Sequence, residues 1–167
     1  MKLFKTFTIV IACHFTILAQ DKHLSKKKVS PSITSFVAHN FSSASHIRYY
    51  QEIDHDSLFI EAVFKFNKEE YSLKFFKDSL IEEEIELEFK NLPLDVQHKI
   101  ETYLTTSFDC FKILECQEVK LNKALLYELK IKGKKNSTSN FYDIYFDRKG
   151  IFKTKEELIV QPIPSLF

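Results

Sequence analysis

The sequence predicts an α+β fold built from two helix-plus-antiparallel-meander repeats that share one sheet, with the helices on one face. Two observations predict it. Val29–Phe41 and Leu92–Leu104 match at a constant offset of 63, so that Ile33, Val37 and Phe41 fall on Val96, Ile100 and Leu104. That spacing is a single apolar stripe of a helix. After each stripe the apolar period drops to two, the period of a half-buried strand.

Taken in order, each helix opens with a proline in or beside its first turn, and Ser32 and Asp95 occupy the same place as expected N-caps. His46–Ile53 matches Cys110–Val119, Leu58–Phe66 matches Leu125–Ile131, and Glu70–Phe75 matches Phe141–Phe146. Leu80-Ile81 then answers Ile151-Phe152, and Glu84–Phe89 reads as a fourth strand of the first copy. Polar turns such as Asp54–Ser57 and Asn67–Glu70 join the strands. A unit this small has little core of its own, so the copies are expected to share one sheet and one core.

The organisation that follows is a signal peptide at 1–20, a short leader at 21–28, repeats at 29–91 and 92–159, and a C-terminal tail at 160–167. Lys2 and Lys5 precede an apolar run from Thr6 to Ala19, and Gln20-Asp21-Lys22 opens the polar chain. That is the anatomy of an export signal cut after Ala19 or Gln20, and the run is short of the roughly 20 residues a membrane span needs. Val10-Ile-Ala-Cys13 also resembles a bacterial lipobox, which would anchor the chain to a membrane through an acylated Cys13. The expected location is the periplasm or the exterior.

Removing two of the 24 basic residues with the signal leaves 22 against 23 acidic ones. So flat a balance excludes a nucleic-acid partner, which requires a surplus of cations. The sequence has only two glycines, Gly133 and Gly150, so no Gly-x-Gly-x-x-Gly or phosphate loop exists. No Gly-x-Ser-x-Gly elbow is present, and His39, His46, His55 and His98 form no zinc-type pair. Neither catalytic, cofactor-binding nor metal-binding residues are expected.

Several features of the second half, taken together, resemble a known family. Leu92-Pro93 opens a helix that ends near Leu104; Phe111-Lys-Ile113, Tyr127-Glu-Leu129 and Tyr145-Phe-Asp-Arg-Lys-Gly150 follow. With the helix-then-meander order stated twice, the chain resembles the exported beta-lactamase-inhibitor-like, PepSY-like proteins of Bacteroidetes-type bacteria, from about Val29 to Leu158. The first copy departs from the pattern: Phe75-Phe-Lys-Asp-Ser79 has no glycine, and the family's frequent tryptophan on the early strand is missing. The resemblance implies non-enzymatic protein binding, as an inhibitor or modulator of an envelope or secreted hydrolase. It brings no catalytic residues and names no target.

Strand parity supplies the site. With Ile47, Tyr49, Ile60, Phe64, Leu73 and Phe75 turned to the helices, Tyr50, Phe59, Val63 and Phe76 face outward; in the second copy Leu114 and Tyr145 do, while Ile113, Leu129, Ile144 and Phe146 are buried. An exposed aromatic face marks an interface, so a protein partner on this face is expected. The alternatives are an envelope protein that holds a small apolar or peptide ligand there, and a purely structural role. Glu84, Glu86 and Glu88 read as a wet acidic edge, and Lys130, Lys132, Lys134 and Lys135 as a basic hairpin.

Cys110 and Cys116 lie six residues apart in one predicted strand, roughly 20 Å end to end, too far for a disulfide unless the run bends back. Two free thiols are expected. Asp56-Ser-Leu58 and Asp78-Ser-Leu80 match a short O-glycosylation motif of exported Bacteroidetes proteins, and Asn136-Ser-Thr138 is an N-glycan acceptor only in a eukaryotic secretory route.

Overall fold

In the computed structural model, which describes residues 22–54, 57–121 and 124–158, the alternating stretches pair in chain order into one antiparallel sheet of nine strands. The signal, the lipobox at Cys13, His55 and the C-terminal tail lie outside the described residues. A short β1 (Lys22–Leu24) leads into helix α1 (Pro31–Asn40) and strands β2 (Ser45–Asp54), β3 (Ser57–Phe66), β4 (Glu69–Phe76) and β5 (Ser79–Glu86). Helix α2 (Leu94–Ser107) follows, then β6 (Cys110–Leu121), β7 (Ala124–Lys135), β8 (Thr138–Asp147) and β9 (Phe152–Leu158).

Both helices lie on one side of the sheet. Ile33 and Val37 of α1 pack with Tyr49, Ala62, Phe64, Leu73 and Phe75, while Val96, Ile100 and Leu104 of α2 pack with Tyr127, Leu129, Ile131, Ile144 and Phe146. These are two separate apolar clusters, not the one shared core expected. At the seam between them, the β5 and β6 positions on the helix side carry charge: Lys120 reaches Glu83 at 3.4 Å, and Arg148 reaches Glu118 at 2.7 Å. The sheet is continuous across that seam, with Glu82 to Glu86 paired to Leu121 to Gln117.

The caps sit two residues earlier than expected. Pro31 takes the first helical position, so Ser30 caps α1, its hydroxyl accepting from the Ser32 amide at 3.2 Å. Pro93 precedes α2, and Asp95 stands within the first turn, where a carboxylate favours the helix dipole. The fourth strand starts at Ser79 and ends at Glu86, not Glu84–Phe89, because a 3-10 turn at Phe89–Asn91 carries Leu87 and Phe89 onto the α2 cluster. The ninth strand extends far beyond Ile151-Phe152. Its Phe152–Leu158 run is polar because it is the sheet's edge, where unpaired backbone is shielded by charge.

Three hairpins turn on two residues with positive φ and no glycine: Asn67-Lys68 at 53° and 74°, Lys77-Asp78 at 47° and 64°, Asn136-Ser137 at 49° and 69°. Two-residue hairpins of that handedness match the strand twist. Gly150 holds φ 75° in the turn between β8 and β9, and a Cβ there would lie 3.0 Å from the Val96 carbonyl oxygen.

Candidate partner-binding face

The side of the sheet away from the helices is where the predicted site residues fall, and its centre is charged. Cross-strand pairs share a face, so Tyr50 with Glu61, Val63 with Ser72, and Phe59 with Phe76 stand together on that side of the first half. Glu128 with Tyr145 and Lys130 with Asp143 stand on it in the second half. Tyr50, Phe59, Val63 and Phe76 are half-buried, and the Phe59 and Phe76 rings meet at 5.3 Å. Tyr50 packs edge-on to His23 of β1 at 5.7 Å.

Two of the six residues differ from expectation. Tyr145 takes the expected face but is buried at 6% exposure, flanked by neighbouring strands on both sides. Leu114 is 40% exposed but has no ladder partner. It occupies a bulge between Ile113 and Glu115, lining a shallow groove with Leu87 and Phe89. Ile47, expected under the helices, is also exposed, because the ladder slips between Ser45 and Arg48 where His46 adopts φ 56°.

Between the aromatic side chains lies a hollow of about 160 Å³, lined by Glu52, Glu61, Ser72, Lys74, Glu82, Glu84, Gln117, Glu128, Lys130 and Asp143. Six of these are acidic and two basic. Lys74 Nζ lies 2.5 Å from Glu52 Oε2 and 5.0 Å from the Phe59 ring centre. Ser72 Oγ donates to Glu61 at 2.6 Å, and Lys130 Nζ donates to Glu115 at 2.8 Å. Lys74, Glu82, Glu128 and Asp143 are all buried.

Burial dominates the titration of this hollow. It pushes the Glu128 carboxyl up to about 8, reinforced by Asp143 beside it, and Asp143 up to about 6 against the pull of Lys130. Burial also raises Glu82, opposed by Lys74, and raises Glu84 well above the carboxylate range, helped by Glu82, Glu128 and Glu61. Lys74 is brought down to about 8 by burial, against the attraction of Glu82 and Glu84. Burial works to lower Lys130 too, but Glu115 and the neighbouring acids hold it above its ordinary value. Burial in the hollow therefore favours the neutral forms of its acids and of Lys74.

Glu84 belongs to this hollow rather than to a wet edge; Glu86 is exposed, and Glu88 lies past the strand, 2.5 Å from Lys90. Cys110 is exposed and Cys116 buried, both free, and burial pushes the Cys116 thiol up to about 12, which keeps it protonated and inert. Among the described residues no group of three His, Cys, Asp or Glu side chains is arranged to hold a metal ion, and no helix is long and apolar enough to cross a membrane. The buried charges Lys74, Glu82, Glu128 and Asp143 were not anticipated as a group. The available signal was their parity, which is that of Phe76 and Tyr145.

No protein-family model matches the chain, and no curated relative is found. Solved structures do match. A BLIP-like protein from Bacteroides fragilis superposes with a TM-score of 0.60 at 13% identity, over 83% of this chain and 92% of that one. The fold is BLIP-like. A DUF2874 family protein from Bacteroides uniformis gives a TM-score of 0.62 at 12% identity, over 77% of this chain and 89% of that one. A candidate periplasmic protein from Bacteroides eggerthii gives 0.62 at 16% identity, over 77% and 88%. At such identities the likeness is one of fold, and the BLIP-like α+β sheet with two helices is what these proteins share with this chain.

Proposed function

We propose that this chain is an exported, non-enzymatic module that binds a protein partner on the helix-free face of its sheet, acting as an inhibitor or modulator of an envelope or secreted hydrolase. The observation that carries the reading is that face itself: half-buried Tyr50, Phe59, Val63 and Phe76 bordering a charged hollow. Aromatic side chains beside desolvated charge are the ingredients of protein-binding hot spots. The BLIP-like fold of a Bacteroides fragilis protein and the candidate periplasmic standing of the Bacteroides eggerthii protein support the same reading. Export follows from the Met1–Gln20 segment, cut after Ala19 or Gln20. The order of one helix and four strands, stated twice, supports two PepSY-like repeats at 29–91 and 92–159.

A small apolar ligand fits the face less well. The central hollow is polar and about 160 Å³, against the roughly 300–1,000 Å³ of apolar-lined ligand sites. Affinity capture tests the reading. The tagged chain retains one partner from envelope or culture extracts, and a folded Tyr50→Lys, Phe59→Lys, Phe76→Lys variant loses it. Equal capture by both moves the site off this face, and capture by neither, from cells that express the protein, removes the inhibitor reading.

A further inference from the structure

Asp143 of β8 and Glu156 of β9 are directly opposed across the ladder on the helix-free side. Each holds one carboxyl oxygen, Asp143 Oδ1 and Glu156 Oε2, buried with no hydrogen-bond partner. Asp143 lines the hollow and is only 4% exposed. Buried carboxyl oxygens are ordinarily satisfied, because leaving one unpaired costs about 1–3 kcal/mol or more for a charged group.

The two lysines of the hollow make their close ion pairs elsewhere. Lys130, the β7 neighbour of Asp143, donates to Glu115 at 2.8 Å, and Lys74 pairs with Glu52. Lys130 attracts Asp143 without hydrogen-bonding its Oδ1, so two opposed carboxyls on adjacent strands lie near one lysine and each keeps an oxygen without a donor. A planar guanidinium fork meets a carboxyl with two parallel hydrogen bonds, and a single ammonium point charge fits less well. A volume of about 160 Å³ admits one side-chain head and no folded segment.

We propose that the hollow is a receptor for a single arginine side chain presented by the protein partner, its guanidinium meeting Asp143 at the hollow's wall, with Glu156 directly behind Asp143 across the ladder. The proposal rests on the partner-binding reading above and adds the chemistry of what the partner inserts. The raised affinity of Asp143 and Glu128 for protons then has a consequence: the arginine competes with protons, so binding weakens as pH falls from 7 to 5.

The test needs no partner. Acetylated, amidated Gly-Arg-Gly is titrated into the purified chain at pH 7 and pH 5, with Gly-Lys-Gly and Gly-Glu-Gly alongside, while the side-chain carboxyl carbons of Asp143 and Glu156 are followed by NMR. The expected result is saturable shifts with the arginine peptide at pH 7, weaker by tenfold or more at pH 5 and in Asp143→Asn/Glu156→Gln. A Glu157→Gln variant, changed at an exposed residue of the opposite face, retains wild-type binding. If the double variant does not fold, the two single variants carry the same comparison. No saturation overturns the proposal, as does equal binding by the double variant or equal affinity for the lysine peptide. Failure here beside a partner captured through Tyr50 and Phe59 removes the arginine receptor and leaves the binding face standing. A positive titration with no partner captured does the reverse.

Discussion

Replacing Glu128 by glutamine removes the most perturbed acid of the hollow for which a pKa near neutrality is expected, and its effect on stability depends on pH. Folded, Glu128 titrates at about 8; unfolded, a glutamate titrates near 4.3. Between those values the folded chain binds more protons than the unfolded one, so stability falls as pH rises. A lone carboxyl of this kind contributes a slope approaching about 1.4 kcal/mol per pH unit. Asp143, raised to about 6, adds to the fall at the acidic end of the window. Lys74, lowered to about 8, reverses the sign above pH 8, because the unfolded lysine then holds the extra proton. Wild type is therefore expected to lose roughly 2–4 kcal/mol between pH 5 and 8 and to pass through a minimum near pH 8. Glu128→Gln keeps a polar partner for Tyr145 and removes the Glu128 share of the slope, leaving the smaller fall that Glu82 and Glu84 supply. Urea unfolding at pH 5, 6, 7 and 8 measures both curves. Wild-type stability that is flat or rises over this range refutes the reasoning, and so does a variant with the wild-type slope.

Three further expectations concern the fold. A Cβ on Gly133 would lie 2.6 Å from the Phe108 ring, which is buried against Tyr142, so Gly133→Ala destabilises by about 1–3 kcal/mol and Phe108→Leu in the same chain restores part of it, read by thermal unfolding. Ser137 holds φ 69° in the β7–β8 hairpin, and Ser137→Gly relieves that strain, raising stability by about 0.5–1 kcal/mol in a urea titration; a loss instead contradicts the turn geometry. Ile100 is fully buried at the centre of the α2 cluster, so Ile100→Ala costs about 2–5 kcal/mol. Because the two clusters are separate, amide exchange in that variant accelerates first around α2 and later around α1.

Much of this architecture was legible because burial on one side enforces a period. Ile33, Val37, Val96, Ile100 and Leu104 sit under the sheet as their spacing implied. Leu129, Ile144 and Phe146 are fully buried, as parity required. Where the ladder slips, parity fails locally: His46, Leu114 and Ile81 each sit at a bulge or irregularity, and Ile47 is left exposed beside the first of them. Most of β9 was missed because an edge strand needs no apolar side, and Phe152–Leu158 carries four charged residues. The hollow was legible only in part. Charged side chains in strands read as solvent-facing, and only the assembled sheet brings Lys74 and Glu82 against Glu128 and Asp143 from the other half.

The central claim is that the helix-free face receives a protein partner. Amide hydrogen exchange of the chain alone and in complex with its captured partner tests it most directly. The account predicts protection concentrated on β3, β4, β7 and β8, around Phe59, Lys74, Lys130 and Asp143, with α1 and α2 unchanged. Protection confined to α1 and α2, with those strands unaffected, contradicts it.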